Sequence, residues 1–384
     1  MAYQASILTQ VLAHVNRHDF QKQVSKQNGD RKISNLSCFC LLVAMIYAHL
    51  KPNRTIRDIV LGFETAASKL YHLGMKAAPK RSTISDSLAD RPAQVYEDYY
   101  RKILESLNRN ERRRLGMKVN LIDSTTISMC IEKFEWAKYR KRKGGIKLHV
   151  MLDSYTHLAE QILVTNAVCH DMNAIRGEIE FKKGQMYVYD RGYACYNYLY
   201  DIEIARAFFV TRLKSNWKYR VLKNRSFRKG TGVLKDQLIC VTGSKKDEYP
   251  VALRLVTFHH KKSGKTLKFL TNNMKLSAKR IADIYKMRWQ IELFFKWIKQ
   301  HLKVKTFLST TANGVKIQVW CALITYVLLH KIKELVTSKI DVFAIYRRIQ
   351  DHLFEGIDLF DLIAERVKRR KTQEEYDQLE LLYA

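Results

Sequence analysis

Acidic residues are scarce in this chain of 384 residues: 37 Asp and Glu stand against 68 Lys and Arg, a formal net charge of +31. Proline is rarer still, at 4, and glycine is modest at 15. So few breakers beside 47% hydrophobic residues exclude disordered, linker-like and collagen-like chains. Long apolar runs are missing as well. No segment reaches the ~18 uninterrupted apolar residues of a membrane-spanning helix, and the N-terminus lacks a secretory pattern. Residues 319–329 are strongly apolar but short, and Lys316, Lys331 and Lys333 flank them, which predicts a buried helix. No membrane partner and a cytoplasmic location are the expectations. Paired cysteine spacing is also absent. The seven Cys are scattered, and only Cys38 and Cys40 are close, with no second pair at zinc-finger spacing. Reduced structural thiols are expected.

What is present is positive charge. A globular chain this basic repels itself, so an anionic partner is the natural explanation. Nucleic acid comes first, because each neutralised phosphate releases counterions and adds affinity. A merely basic soluble protein, for example a ribosomal one, is the competing reading. The length predicts about two or three domains.

Residues 1–112 read as short helices joined by basic segments. Residues 36–50 form an apolar helix ending before Pro52. Thr55 is placed as the N-cap of the next, and residues 95–108 form an amphipathic one. Such a set fits either a DNA-end-binding region, with a helix-turn-helix as one arrangement, or a helical cap that touches no DNA. From about residue 117 the period changes. Residues 119–123, 146–152, 159–165, 186–190 and 207–211 read as strands, and 171–182 and 196–204 as helices, in the order β-β-β-α-β-α-β. That order is the ribonuclease-H-like core. Residues 212–272 read as a β insertion with a hairpin turn at 262–265. One long helix is expected from Ser277 past Lys299, then further helices to the end. The fold class expected is α+β: a helical N-terminal DNA-binding region over 1–112, a ribonuclease-H-like catalytic domain over 113–310 with its β insertion, and a helical C-terminal region over 311–384.

Phosphodiester cleavage and strand transfer need no covalent nucleophile from a protein. They need divalent metals held by a few carboxylates from distant segments. Asp123 and Asp190 each follow an apolar strand and precede turn-like or polar residues, so both read as strand-terminating acids. Taken singly, either is as well read as an ordinary turn or cap residue. Tyr285, Arg288, Glu292 and Lys299 share the spacing Y-x2-R-x3-E-x6-K. At ~100° per residue they fall within an arc of about 60° on one helix face. Met287, Ile291, Phe294 and Ile298 lie opposite, predicting that side to be buried. An acid among Arg, Lys and Tyr suits a metal ligand beside phosphate-holding groups; a solvated face with i,i+4 ion pairs is the plain alternative.

Three such motifs in this order resemble the DDE transposases of the bacterial insertion-sequence-four type. Leu121-Ile122-Asp123-Ser124-Thr125, Tyr187-Val188-Tyr189-Asp190-Arg191-Gly192-Tyr193 and Gly145-Ile146-Lys147-Leu148-His149 resemble that family's strands. The stretch from Phe20 to Phe63 looks like an N-terminal domain common in it. The resemblance implies that Asp123, Asp190 and Glu292 bind catalytic Mg²⁺, with Mn²⁺ able to substitute. It implies that Tyr285, Arg288 and Lys299 grip phosphates of double-stranded DNA, at transposon terminal repeats and target. It also implies a homodimer on paired DNA ends. Some members hold a flipped base on an aromatic residue of the insertion. Trp217 is the candidate, in residues 212–235, where nine are Lys or Arg and none is acidic; a packed Trp under a basic hairpin is the alternative. Two histidine sites read as structural: Asp171 after His170 as an N-cap, and His259-His260 as a solvated or DNA-facing hairpin. A nuclease that cuts without joining, or a silent DNA-binding descendant, would share these features.

Overall fold

The computed structural model describes residues 5–31, 36–51, 55–107, 117–129, 134–140, 143–167, 177–244, 246–261, 264–300, 307–336 and 340–364. In chain order the helices are α1 (Ile7–Leu12), α2 (Arg17–Lys26), α3 (Cys38–Leu50), α4 (Ile56–Thr65), α5 (Arg81–Asp90), α6 (Ala93–Leu107), α7 (Tyr196–Ile204), α8 (Ala278–Met287), α9 (Trp289–Gln300), α10 (Ala312–Leu335) and α11 (Val342–Asp351). The strands are β1 (Val119–Met129), β2 (Lys138–Arg140), β3 (Lys143–Asp153), β4 (Ala159–Asn166), β5 (Met186–Tyr189), β6 (Phe208–Arg212), β7 (Tyr219–Asn224), β8 (Val233–Val241), β9 (Leu253–His260) and β10 (Lys265–Thr271). They belong to two compact units, residues 1–106 with 297–384, and residues 107–296.

The first unit is helical. α3 and α10 are apolar almost all round, and a helix with no polar face must be covered on every side. Both are buried nearly throughout, and they pack on each other. α10 is long and apolar enough to cross a membrane by length and composition, yet 83% of its most apolar window is buried inside this fold. It is a core helix, longer than the apolar stretch 319–329 alone implied. α3 stops at Leu50 because Lys51 precedes Pro52 and takes extended backbone (ψ 145°). Thr55 caps α4 as expected. Its Oγ1 accepts from Asp58 N at 3.2 Å, and Asp58 Oδ2 accepts from Thr55 N at 2.9 Å, closing a capping box. Gly62 is required for packing, because a Cβ there would lie 2.0 Å from the Tyr47 hydroxyl.

The second unit is one ten-stranded mixed sheet among the described residues, in the order β2-β3-β1-β5-β6-β10-β9-β8-β7, with β4 also on β3. β1, β3 and β4 are antiparallel, β1, β5 and β6 parallel, and β6 to β7 antiparallel again. The stretch read as an insertion therefore extends the same sheet through β10. All four residues of β5 are buried, as a parallel strand covered on both faces requires. α8 lies across β5, β6, β8, β9 and β10.

Several local expectations change. Asp123 does not end its strand: β1 continues to Met129, and Asp123 pairs with Val150 of β3 in its middle. Ser124-Thr125-Thr126 looks turn-like, but threonine favours the pleated sheet once a partner strand is present. The single helix past Lys299 is two, α8 and α9. At Arg288 the ladder tightens to i→i−3 bonds (Arg288 N to Tyr285 O 3.1 Å, Ile291 N to Arg288 O 3.2 Å). Of the helix expected over 171–182, residues 171–176, with His170 just before them, lie outside the described residues, and 177–182 run as turn and irregular chain. The turn residues Lys262 and Ser263 also lie outside them, but β9 and β10 pair around that turn.

Candidate active site

Register brings the first two acids together. β1 and β5 run parallel with Ile122 opposite Tyr189, the last such pair. Asp123 is the next residue of β1 and Asp190 the first residue after β5, so both stand just beyond the last pair of the two strands. Asp123 Oδ1 accepts from Ser124 N at 2.8 Å, which orients one oxygen.

α8 and α9 supply the rest. Tyr285, buried with its ring 4.7 Å from that of Phe269, donates its hydroxyl to Asp190 Oδ1 at 3.2 Å. Arg288, at the helix break, donates Nη1 to Asp123 Oδ2 at 3.1 Å and Nη2 to Glu292 Oε1 at 2.5 Å. The side chains of Arg288, Asp123 and Glu292 are 17%, 19% and 36% exposed, so the cluster is mostly buried and opens to solvent chiefly at Glu292. Ile291, Phe294 and Ile298 are buried, as the helical spacing predicts, while Met287 is half-buried.

The electrostatics follow. Burial pushes the Asp123 carboxyl up to about 6, with Asp190 and Glu292 adding to the rise and the Ser124 amide and Arg288 opposing it. Burial works against the charge on Arg288, but Glu292, Tyr285 and Asp123 hold its pKa above the ordinary value. Burial and the neighbouring Asp190 raise the Tyr285 hydroxyl, keeping it a donor.

Five of the seven residues named from the sequence thus meet: Asp123, Asp190, Tyr285, Arg288 and Glu292. Lys299 sits in the last turn of α9, in the part that belongs with the other unit. Trp217 has its own surroundings. It stacks on Tyr196 (3.9 Å, 27°), Lys214 Nζ lies 5.9 Å from its ring, and the two rings border a cavity of about 350 Å³ that also touches Lys218 and Thr242. It packs partly against the aromatic core and leaves the rest of its surface to that cavity. His259 is half-buried, and its Nδ1 lies 3.4 Å from Thr266 Oγ1.

The sequence reading missed a second charged cluster. Arg254, the second residue of β9, and Asp236 of β8 form a buried bidentate pair at 2.9 and 2.8 Å. Its signal was a lone arginine in Leu253-Arg254-Leu255-Val256, where the neighbours alone predict a core strand.

Known proteins agree on the family. The family model described as a transposase DDE domain matches residues 114–328, and a domain of unknown function matches residues 3–76. A chain named as a transposase in Sinorhizobium fredii is 36% identical over 256 residues, covering 66% of this chain and 71% of that one. One named as the transposase of insertion sequence element IS5377 in Geobacillus stearothermophilus is 29% identical over 316 residues, 79% and 83% of the two chains. A chain of the piggyBac transposase synaptic complex with hairpin DNA aligns over 93% of this chain and 79% of its own, with a TM-score of 0.43 and 11% identity.

Proposed function

Because this chain belongs to the transposase DDE domain family, we propose that its chemistry is carried by Asp123, Asp190 and Glu292. The protein is a DNA transposase, an enzyme of cleavage and strand transfer at an insertion sequence. The observation that carries the assignment is that Tyr285 and Arg288 together engage all three acids from one helical segment.

The family implies a divalent metal, and the residues fit one by the chemistry of their donors: three carboxylates, which Mg²⁺ prefers. A cation already bridges two of them, namely the Arg288 guanidinium. Among the described residues no three acidic, His or Cys side chains are gathered closely enough to hold a metal ion as they stand. Asp123, Asp190 and Glu292 would hold the ion, Mg²⁺ by preference and Mn²⁺ as a substitute. When bound, it supplies Lewis-acid stabilisation of the attacking and leaving oxygens.

The chain's own groups do the rest. Tyr285 holds Asp190 in one orientation through its hydroxyl. Arg288 neutralises Asp123 and Glu292 while they are otherwise unpaired, and its planar fork suits a DNA phosphate equally well. Lys299 adds a phosphate contact further along α9, and Trp217 offers a stacking face beside Lys214 and Lys218.

The strand order β4-β3-β1-β5-β6, with β5 and β6 parallel to β1, supports a ribonuclease-H-like core, and β7 to β10 are the insertion. As functional parts, residues 1–112 serve DNA binding, 113–310 catalysis, and 311–384 contact between copies in a dimer on paired double-stranded ends. Cytoplasmic action on bacterial DNA accompanies this reading. The test is cleavage of labelled DNA carrying the element's ends with Mg²⁺, wild type against Glu292→Ala. Nicking and joining by wild type, lost in a variant that still binds DNA, support the assignment. Equal cutting by both overturns it, and cutting without joining makes the protein a nuclease.

A further inference from the structure

We propose that the buried Asp236–Arg254 pair is a positioning device that pins the start of α8, and through it Tyr285 and Arg288, to the strands of the insertion. Arg254 is 2% exposed, between Leu253 and Leu255 at 0%. Desolvating a guanidinium and a carboxylate costs several kcal/mol each, and an apolar pair of similar volume fills such a site as well or better. Stability alone therefore gives little reason for charge here.

The bonds of Arg254 supply a reason. Nε and Nη2 grip Asp236, and Nη1 donates to the carbonyls of Asn273 (3.0 Å) and Leu276 (2.6 Å). Arg225 joins from beyond the end of β7. Its backbone N donates to Asp236 O at 2.7 Å and its Nη2 to Met274 O at 2.8 Å. Two arginines thus take the carbonyls of residues 273, 274 and 276, in the turn between β10 and α8. Asn273 Oδ1 closes that turn from inside by accepting from Lys275 N and Leu276 N at 3.0 and 2.9 Å. Ser277 then caps α8 by accepting from Arg280 N at 3.2 Å.

The turn is therefore fastened to β8 and β9 by side chains that no apolar pair could replace, because an apolar side chain has no donor, whereas the guanidinium fork grips both oxygens of one acid and two carbonyls at once. α8 is a rigid rod of about 15 Å. Fixing its first turn sets where its far end delivers Tyr285 to Asp190 and Arg288 to Asp123. A misplacement of ~1 Å there is worth about 100-fold in rate. This rests on the reading of the acidic cluster as the active site.

The test uses the full chain and a labelled duplex carrying the element's terminal sequence. It reads three quantities in Arg254→Met and Arg225→Ala, at a temperature where each is folded: single-turnover cleavage with Mg²⁺, duplex affinity, and hydrogen exchange of residues 273–287. A role confined to general stability leaves cleavage by the folded fraction unchanged. Positioning predicts affinity within about threefold of wild type but cleavage about 100-fold lower in Arg254→Met and about tenfold lower in Arg225→Ala. Exchange over 273–287 is then faster by about tenfold, while β6 keeps its protection. Cleavage within threefold of wild type, or rate and affinity falling by the same factor, or unchanged exchange, overturns the proposal. If Arg254→Met fails to fold, Arg225→Ala decides by the same readings. If wild type does not cleave, the active-site reading fails, and exchange alone decides the pinning.

Discussion

Two arginines in the sheet unit do similar chemistry under different conditions. Arg254 and Asp236 are 2% and 1% exposed at their side chains, and Arg254 also holds two carbonyls. Arg288 is 17% exposed, bridges Asp123 and Glu292 from different elements, and leaves its buried Nε without a hydrogen-bond partner among the described residues. The first is dry and makes four hydrogen bonds inside the fold, so little else competes for its partners. The second is partly exposed and under-bonded, so its partners can change. Burial and the number of bonds made, not the ion pair itself, separate a clamp from an exchangeable contact.

The comparison can be broken or sharpened, beginning with the largest effect. If the proposed roles are right, Asp123→Ala, Asp190→Ala or Glu292→Ala should lower end cleavage by a thousandfold or more, about 4 kcal/mol or above in barrier, because each removes an acid proposed to hold a metal that would supply several kcal/mol. Duplex affinity, read in the same samples, should change little. Arg254→Met should destabilise the folded protein by about 3–5 kcal/mol in denaturant titration, since Asp236 is left as an unpaired buried charge. Adding Asp236→Leu should recover most of that loss. No recovery would mean that the carbonyl contacts, not the charge, carry the stability.

The acidic cluster should respond to pH. The folded protein holds the Asp123 carboxyl at about 6 against an ordinary 3.8, chiefly through burial. A raised acid favours its neutral form, so its contribution to stability is complete below about 3.8 and lost as pH rises through about 6. Asp123→Asn cannot ionise. In metal-free buffer it should match wild type near pH 4 and exceed it by about 1–3 kcal/mol above pH 6. A constant difference across that window would sink this account. The smallest effect belongs to Arg288→Met, which should cost about 1–2 kcal/mol of stability, between an exposed pair and a fully buried one. It should also flatten the salt dependence of duplex binding by about one unit of slope. A loss as large as that of Arg254→Met would erase the distinction between the two arginines.

Much of this molecule was legible residue by residue. Alternation marked β3 and β4, and short apolar runs marked the start of β1, β5 and β6, because each of these patterns is written in the strand's own residues. The i, i+3, i+7 spacing put Tyr285, Arg288 and Glu292 on one helical face. Exposed β7 was not seen, because five of its six residues face solvent and show no alternation. The continuation of β1 past Asp123 was hidden for another reason: Ser124, Thr125 and Thr126 become strand only when β3 pairs with them. The Arg288 break carries no Pro or Gly to announce it. Local pattern and charge by themselves determined most of the elements, their order and the demand for an anionic partner, while the choice of Asp123, Asp190 and Glu292 came from the resemblance their three motifs carry together. Tertiary structure alone decided that Ile122 stands opposite Tyr189, that one arginine spans Asp123 and Glu292, and that Arg254 reaches back to the turn before α8. Those depend on register and packing between residues far apart in the chain, and no short-range period records them.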